Sequence, residues 1–211
     1  YTGRFDDSEK PGTTPKHRDA EQAVEALLAG KTADLPAATK AFGCSIKWKE
    51  KEASSKAEAE SWTKEEVKLE KINEEGLLKL LKNDSEKLLL INFWATWCGP
   101  CTTEFPDLMR IYHSYRVRDF DMVTVSLDRP EAFDKARKFL RKHNASGANY
   151  LVEGLDVYRL LELVNKNWKG AIPFTLLVEP GGKQIFWLEG QIEPLEMRKE
   201  IVEHPLMGRY F

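Results

Sequence analysis

Apolar residues recur along this chain in two kinds of pattern, and together they predict alternating strands and helices. Largely apolar runs, typical of strands covered on both faces of a parallel sheet, occur at 87–93, 122–127 and 171–178. Apolar residues at helical spacing occur at 77–81, 100–115, 130–143, 157–164 and 194–204. Residues 67–72 predict one more short strand, and the turn at 180–183 predicts a hairpin into 184–189. The expected order is β-α-β-α-β-α-α-β-β-α.

This order predicts an α/β fold of three layers, in which helices cover a central mixed sheet completed by an antiparallel hairpin. The beginning of the chain differs. Residues 15–30 predict one short amphipathic helix, and residues 49–59 are a linker of Lys, Glu, Ser and Ala with little apolar surface to bury. We therefore expect an N-terminal extension with linker at 1–60 and the main domain at 61–211.

The composition is that of an ordinary globular protein, with 42% hydrophobic and 31% charged residues. A net charge of -2 provides no basic field for a phosphate backbone, so nucleic acid is not an expected partner. The longest nearly uninterrupted apolar stretch, 88–97, is about half of the roughly 20 residues that a membrane-spanning helix needs, so no such segment is predicted. The chain begins at Tyr1 without the basic and apolar regions of an export signal, so its start does not indicate a compartment.

Two of the three cysteines, Cys98 and Cys101, lie three residues apart just beyond the first long predicted strand, a spacing typical of redox and metal sites. Pro100 suits the first turn of a helix. The backbone N–H groups of a helix start favour the thiolate of Cys98, and a cysteine one turn further in is placed to displace a partner from a mixed disulfide. We predict that Cys98 is the nucleophile and Cys101 the resolving cysteine.

Half of a zinc site is the alternative interpretation of this pair. A structural zinc ion needs two further Cys or His ligands at suitable spacing. Cys44 is a single candidate, and the histidines are scattered over positions 17, 113, 143 and 204. Reversible dithiol chemistry is therefore favoured, and it requires no metal and no organic cofactor.

The segment Asn92-Phe93-Trp94-Ala95-Thr96-Trp97-Cys98-Gly99-Pro100-Cys101 resembles the active-site segment of the thioredoxin superfamily. The following Glu104-Phe105-Pro106 is similar to the TlpA/ResA-like branch, the extracytoplasmic disulfide reductases of bacteria. Ile172-Pro173-Phe174-Thr175 resembles the cis-proline loop, which lies against the cysteines and offers backbone groups to the substrate. The resemblance covers about 62–204 and implies a thioredoxin-like fold and a location in the periplasm or cell envelope.

The resemblance also implies roles for residues around the cysteines. Thioredoxin has a buried aspartate where this chain has Asn92, and an amide cannot relay a proton. Glu104 is therefore the expected acceptor of the Cys101 proton; the alternative is that it merely favours the helix start. Substrate contacts are expected from Trp97, Gly99, Pro100, Ile172, Pro173 and Phe174. For Trp97 and Phe174, packing in the core is the alternative.

Residues 1–7 and 41–48 resemble, over a short match, the C-terminal tail of another redoxin-like domain found in multidomain bacterial proteins. This resemblance implies a natural polypeptide that extends upstream of Tyr1; the alternative is a helical extension packed on the sheet. Cys44 is expected to be a free thiol, inert if buried and reactive only if exposed beside Lys47 or Lys49.

The sequence as a whole predicts a thiol–disulfide oxidoreductase that reduces protein disulfides through a mixed disulfide on Cys98. Its expected partners are disulfide-containing proteins and a thiol electron donor. The resemblance adds apocytochrome c, through its haem-binding thiols, and oxidised envelope proteins as candidate clients. Two alternatives stay open: a disulfide oxidase or isomerase, and a non-catalytic docking module with the same fold.

Overall fold

The structure is a computed structural model that describes residues 14–32, 34 and 60–207. The chain divides into two compact units, an N-terminal one and a second one of residues 57–210. The described part of the N-terminal unit contains helix α1, Asp19–Leu28, within the segment that the apolar spacing predicts to be helical. The expected domain boundary at 60/61 stays a prediction.

Several sequence-based expectations lie outside the described residues. These are the linker at 49–59, the two tail-like segments at 1–7 and 41–48, and the state of Cys44. They stay predictions.

A six-stranded mixed sheet forms the centre of the second unit, in the order β1-β4-β3-β2-β5-β6. The strands are β1 Glu70–Ile72, β2 Leu88–Trp94, β3 Phe120–Ser126, β4 Ala148–Val152, β5 Phe174–Val178 and β6 Gln184–Glu189. Strands β1, β4, β3 and β2 are parallel, whereas β5 and β6 are antiparallel to their neighbours. The mixed sheet with a final hairpin is therefore confirmed.

Helices cover both faces of this sheet, which gives the three expected layers. They are α2 Glu74–Lys82, α3 Gly99–Tyr115, α4 Phe133–Lys142 with a 3₁₀ turn Pro130–Ala132 before it, α5 Val157–Val164 and α6 Pro194–Val202. Buried residues of α3, α4 and α6 share one core cluster, and those of α2 and α5 share the other. Strand β2 contributes to both clusters, because successive side chains of a strand point to opposite faces. This explains why β2 is apolar at every position except Asn92.

Strand β4 corrects the predicted order, which contains no strand between the helices at 130–143 and 157–164. It pairs in parallel with both β1 and β3. The second residue of β4, Asn149, is buried: its amide donates to the backbone carbonyls of Lys68, Ala145 and Gly147, and it accepts a hydrogen bond from Thr124. A buried polar residue is tolerated here because its hydrogen bonds are made, and it interrupts the apolar pattern that would have indicated a strand.

Candidate active site

The two cysteines lie at the junction of β2 and α3. Cys98 is the N-cap of α3, and its Sγ accepts a hydrogen bond from the backbone N–H of Cys101 at 3.2 Å. The two residues are joined by a disulfide, with their Cα atoms 5.3 Å apart. Cys98 keeps 5% of its surface exposed, whereas Cys101 keeps none. Cys98 is therefore the sulfur that an incoming group can reach.

The loop before β5 lies against this pair. The peptide bond between Ile172 and Pro173 is cis. The carbonyl oxygen of Ile172 lies 3.4 Å from the Sγ of Cys98. The loop is tied to the end of β6, because the backbone N–H of Gly190 donates to the carbonyl of Pro173 at 2.8 Å. Residues that are 74 positions apart in the chain thus form one site.

Glu104 lies inside the protein on the second turn of α3, with 4% of its surface exposed. Its Oε1 accepts from the amide of Asn92 at 3.1 Å, and its Oε2 accepts from the backbone N–H of Ile192 at 2.8 Å. Burial outweighs these two hydrogen bonds and raises the pKa of Glu104 from 4.5 to about 7. A carboxylate that merely favoured the helix start would lie at the surface of the first turn. This carboxyl group is instead buried and able to exchange a proton near neutral pH.

Asn92 connects Glu104 to the neighbouring strand. Its amide nitrogen also donates to the hydroxyl of Thr175 at 3.0 Å. Its carbonyl oxygen Oδ1 is buried and finds no hydrogen-bond partner in the described part of the chain. Rotating the amide by half a turn would present that oxygen to a protonated Glu104. The side chain at this position can therefore bond Glu104 in either protonation state.

Three of the predicted substrate-contact residues surround Cys98 at the surface: Trp97, Gly99 and Pro100. Trp97 is 66% exposed, so core packing is excluded for it, whereas Trp94 is fully buried. The carbonyl of Pro100 accepts a hydrogen bond from the side chain of Gln191 at 3.1 Å. Their placement permits contact with a substrate, and the contact itself stays a prediction.

Phe174 requires a correction, because its side chain is fully buried and cannot line a substrate groove. It is the first residue of β5 and points into the cluster shared by α2 and α5. Its ring stacks on Trp168 with the centroids 4.4 Å apart and the planes 8° apart. The ring thus anchors the cis-proline loop from beneath, and only the backbone next to it lies near Cys98.

Asp128 is a site residue that the sequence patterns did not indicate. This buried carboxylate accepts from the backbone N–H and the hydroxyl of Thr96, at 2.9 and 2.7 Å, and from the hydroxyl of Ser126 at 2.8 Å. It therefore fixes the loop that precedes Cys98. Its position two residues after β3 could have indicated it in the sequence, because functional groups of α/β proteins lie beyond the carboxyl ends of parallel strands.

Within the described residues, no three His, Cys, Asp or Glu side chains come together in a way that could hold a metal ion. No helix of that part is long and apolar enough to span a bilayer.

A mixed α/β sheet that presents a CxxC disulfide at a helix start, against a cis-proline loop, defines a thioredoxin-fold protein with a redox-type cysteine pair. The chain belongs to the AhpC/TSA family, whose sequence model matches residues 57–184.

Curated relatives make the likeness more specific. The chain is 30% identical over 103 residues to the thiol-disulfide oxidoreductase ResA of Oceanobacillus iheyensis, which covers 46% of each chain. It is 29% identical over 99 residues to the ResA of Bacillus subtilis, which covers 47% of this chain and 51% of that one. This chain thus spans about half the length of those relatives. The predicted resemblance to the ResA-like branch is confirmed.

A solved structure agrees on the fold. A DsbF homologue from Corynebacterium diphtheriae superposes with a TM-score of 0.51 at 16% identity, over 59% of this chain and 76% of that one. At this identity the likeness concerns the fold alone.

Proposed function

We propose that this chain is a thiol–disulfide oxidoreductase that reduces protein disulfides, with Cys98 as nucleophile and Cys101 as resolving cysteine. The observation that carries the proposal is the asymmetry of the pair. Cys98 is reachable at the helix start, where it receives a backbone N–H, whereas Cys101 is fully covered. The shared name of the curated relatives supports the same activity.

The first step is attack on the client. The thiolate of Cys98 in the reduced protein attacks one sulfur of the client disulfide, whose S–S bond breaks and releases one client thiolate. A new disulfide then joins Cys98 to the client. The backbone N–H that points at Sγ stabilises the thiolate before the attack.

The second step releases the client. The thiol of Cys101 gives its proton to Glu104, three residues further along the same helix, and the resulting thiolate attacks Sγ of Cys98. The mixed disulfide breaks, the second client thiolate leaves, and the chain keeps the Cys98–Cys101 disulfide. Two electrons have passed to the client, and a thiol electron donor must restore the dithiol.

The partners and the location belong to the proposal as well. A site with one reachable sulfur beside an exposed indole suits disulfide-containing proteins as clients. Oxidised envelope proteins and the haem-binding thiols of apocytochrome c are candidates through the family likeness, as is an extracytoplasmic location.

A trapping experiment tests the proposal. Replacing Cys101 by Ser in a Cys44→Ser background leaves Cys98 as the chain's single cysteine. Because the resolving thiol is then missing, mixed disulfides with clients should accumulate and appear as heavier species on non-reducing gels of a periplasmic extract. Mass spectrometry of these species would identify the clients.

The matched control is the Cys98→Ser, Cys44→Ser protein, in which the buried Cys101 is the single cysteine. It should capture almost nothing, because that sulfur has no exposed surface. Capture by neither variant would support the alternative of a non-catalytic docking module, and equal capture by both would contradict the assigned roles.

The direction of electron flow can be tested by equilibrating the wild-type protein with glutathione buffers of known potential. The carbonyl of Ile172 near Sγ disfavours a thiolate, which limits how far the reduced form is stabilised. We expect a potential closer to that of thioredoxin, about -270 mV, than to that of DsbA, about -120 mV. A value at the DsbA end would overturn the reductase direction in favour of an oxidase.

A further inference from the structure

A cleft of about 440 Å³ opens beside the loop that leads into Cys98. One wall is the loop before Cys98, with Thr96 and the exposed ring of Trp97. The other wall is the segment after β3, where Arg129 and Lys135 project. A pocket of this size can hold a few side chains of a bound peptide.

The segment that forms the second wall of this cleft is basic. Residues 129–142 contain six Lys or Arg and only two acidic side chains, in a chain whose net charge is -2. Of those two acids, Asp134 is already paired with Arg137 at 2.8 Å. Arg129 and Lys135 are exposed and form no ion pair with any residue that the structure describes. Their charges are therefore available to an incoming group.

One carboxylate also lines the cleft, but it does not cancel these charges. Asp128 is 3% exposed, and its oxygens accept three hydrogen bonds from Thr96 and Ser126. It is thus turned towards the loop that it fixes, whereas the two cations face solvent. The free charge at the mouth of the cleft is positive.

We propose that this cleft receives the client segment next to the attacked cysteine, and that Arg129 and Lys135 favour clients with acidic residues there. The inference rests on the proposed reductase function and names its substrate preference. Trp97 precedes Cys98 directly and is exposed, so a peptide that lies on its ring is next in the chain to the reactive cysteine. The ring supplies apolar contact, and the cations supply the selection by charge.

The preference can be measured with three peptides that contain the same disulfide. They differ only in the two residues that flank the attacked cysteine: both are Glu in the first peptide, Gln in the second and Lys in the third. The wild-type protein should reduce the Glu peptide with a kcat/KM about tenfold above that of the Lys peptide. In the Arg129→Glu, Lys135→Glu protein this order should reverse, with the Gln peptide between the other two. Added salt should weaken the preference, because exposed charges are screened.

The matched control is Lys138→Glu with Lys142→Glu, the same change of charge further along α4 and outside the cleft lining. It should leave the order of the peptides unchanged. If it reverses the order equally well, a long-range field of α4 and not the cleft would be selecting the clients, and the proposal would be overturned.

The remaining outcomes separate this inference from the function on which it rests. Equal rates for all three peptides would overturn the charge preference and leave the reductase intact. Reduction of none of them would contradict the proposed function itself. A lipid surface is the other possible ligand of the two cations. It would be assigned if the three peptides reacted at equal rates and phosphatidylserine vesicles sedimented the wild type but not the Arg129→Glu, Lys135→Glu protein.

Discussion

Serine in place of Cys98 is expected to abolish the reduction of protein disulfides by this chain. A serine hydroxyl fits the same N-cap position, so the helix start should survive, but it is not a nucleophile towards sulfur at neutral pH. The rate should fall to less than about one-thousandth of the wild-type rate, equivalent to about 4 kcal/mol of activation free energy. Turbidity from insulin reduction, with dithiothreitol as electron donor, measures this loss.

The control removes the remaining cysteine instead. Cys44→Ser should keep the wild-type rate, because Cys44 is not part of the proposed dithiol centre. Thermal unfolding of both variants would show whether the fold is kept. Full activity of the Cys98→Ser protein, with an intact fold, would refute the mechanism.

Glutamine in place of Glu104 is expected to slow the second step without unfolding the protein. Its oxygen can accept from the backbone N–H of Ile192, and its amide can donate to the carbonyl of a rotated Asn92. The proton acceptor for Cys101 is lost, so release of the client should slow by about 10²- to 10⁴-fold. Quenched-flow samples on non-reducing gels should show the mixed disulfide persisting.

The pH dependence gives the Glu104→Gln prediction a readout that a structural role would not reproduce. Glu104 must be ionised to accept the proton, so the wild-type rate of release should rise as pH passes about 7, the raised pKa of this group. The glutamine variant should lack that inflection. Asp107→Asn, on the same helix and half-buried, is the matched control and should retain it. An inflection that persists in Glu104→Gln would assign the proton transfer elsewhere.

The ionisation of Glu104 should also affect stability: the free energy of unfolding should fall over the pH range in which the rate of client release rises. Because the folded pKa of about 7 exceeds the ordinary value of 4.5, the folded protein binds more protons than the unfolded chain between these pH values. The free energy of unfolding should therefore fall as pH rises through this window, by up to about 3 kcal/mol. Urea unfolding of the oxidised protein at pH 5 and pH 8 should show this fall in the wild type and not in Glu104→Gln.

The centre of the fold could be predicted because its signals are local. The apolar run of β2 leads directly into Cys98, and Pro100 marks the helix start in the sequence itself. The cis-proline loop was accessible through its own short motif before β5. For these elements the residues that determine the conformation are neighbours in the chain.

The remainder depends on contacts between distant segments. Strand β4 is stabilised by the buried amide of Asn149, which no periodicity indicates. Asp128 contributes to the site through its hydrogen bonds to Thr96, which lies 32 positions earlier in the chain. The place of Phe174 after Pro173 is compatible with both a groove position and packing beneath the loop, and the choice depends on its contact with Trp168. These three features are determined by tertiary packing, and a local sequence pattern does not indicate them.

The placement of β2 bears on how the site withstands partial opening of the molecule. β2 is hydrogen-bonded on both sides, to β3 and to β5, while β1 and β6 form the two margins of the sheet. Local opening starts at such margins and reaches the innermost strands last. The cysteines follow the end of one of the two innermost strands, so opening of either margin leaves the strand that carries the reactive sulfur paired on at least one side.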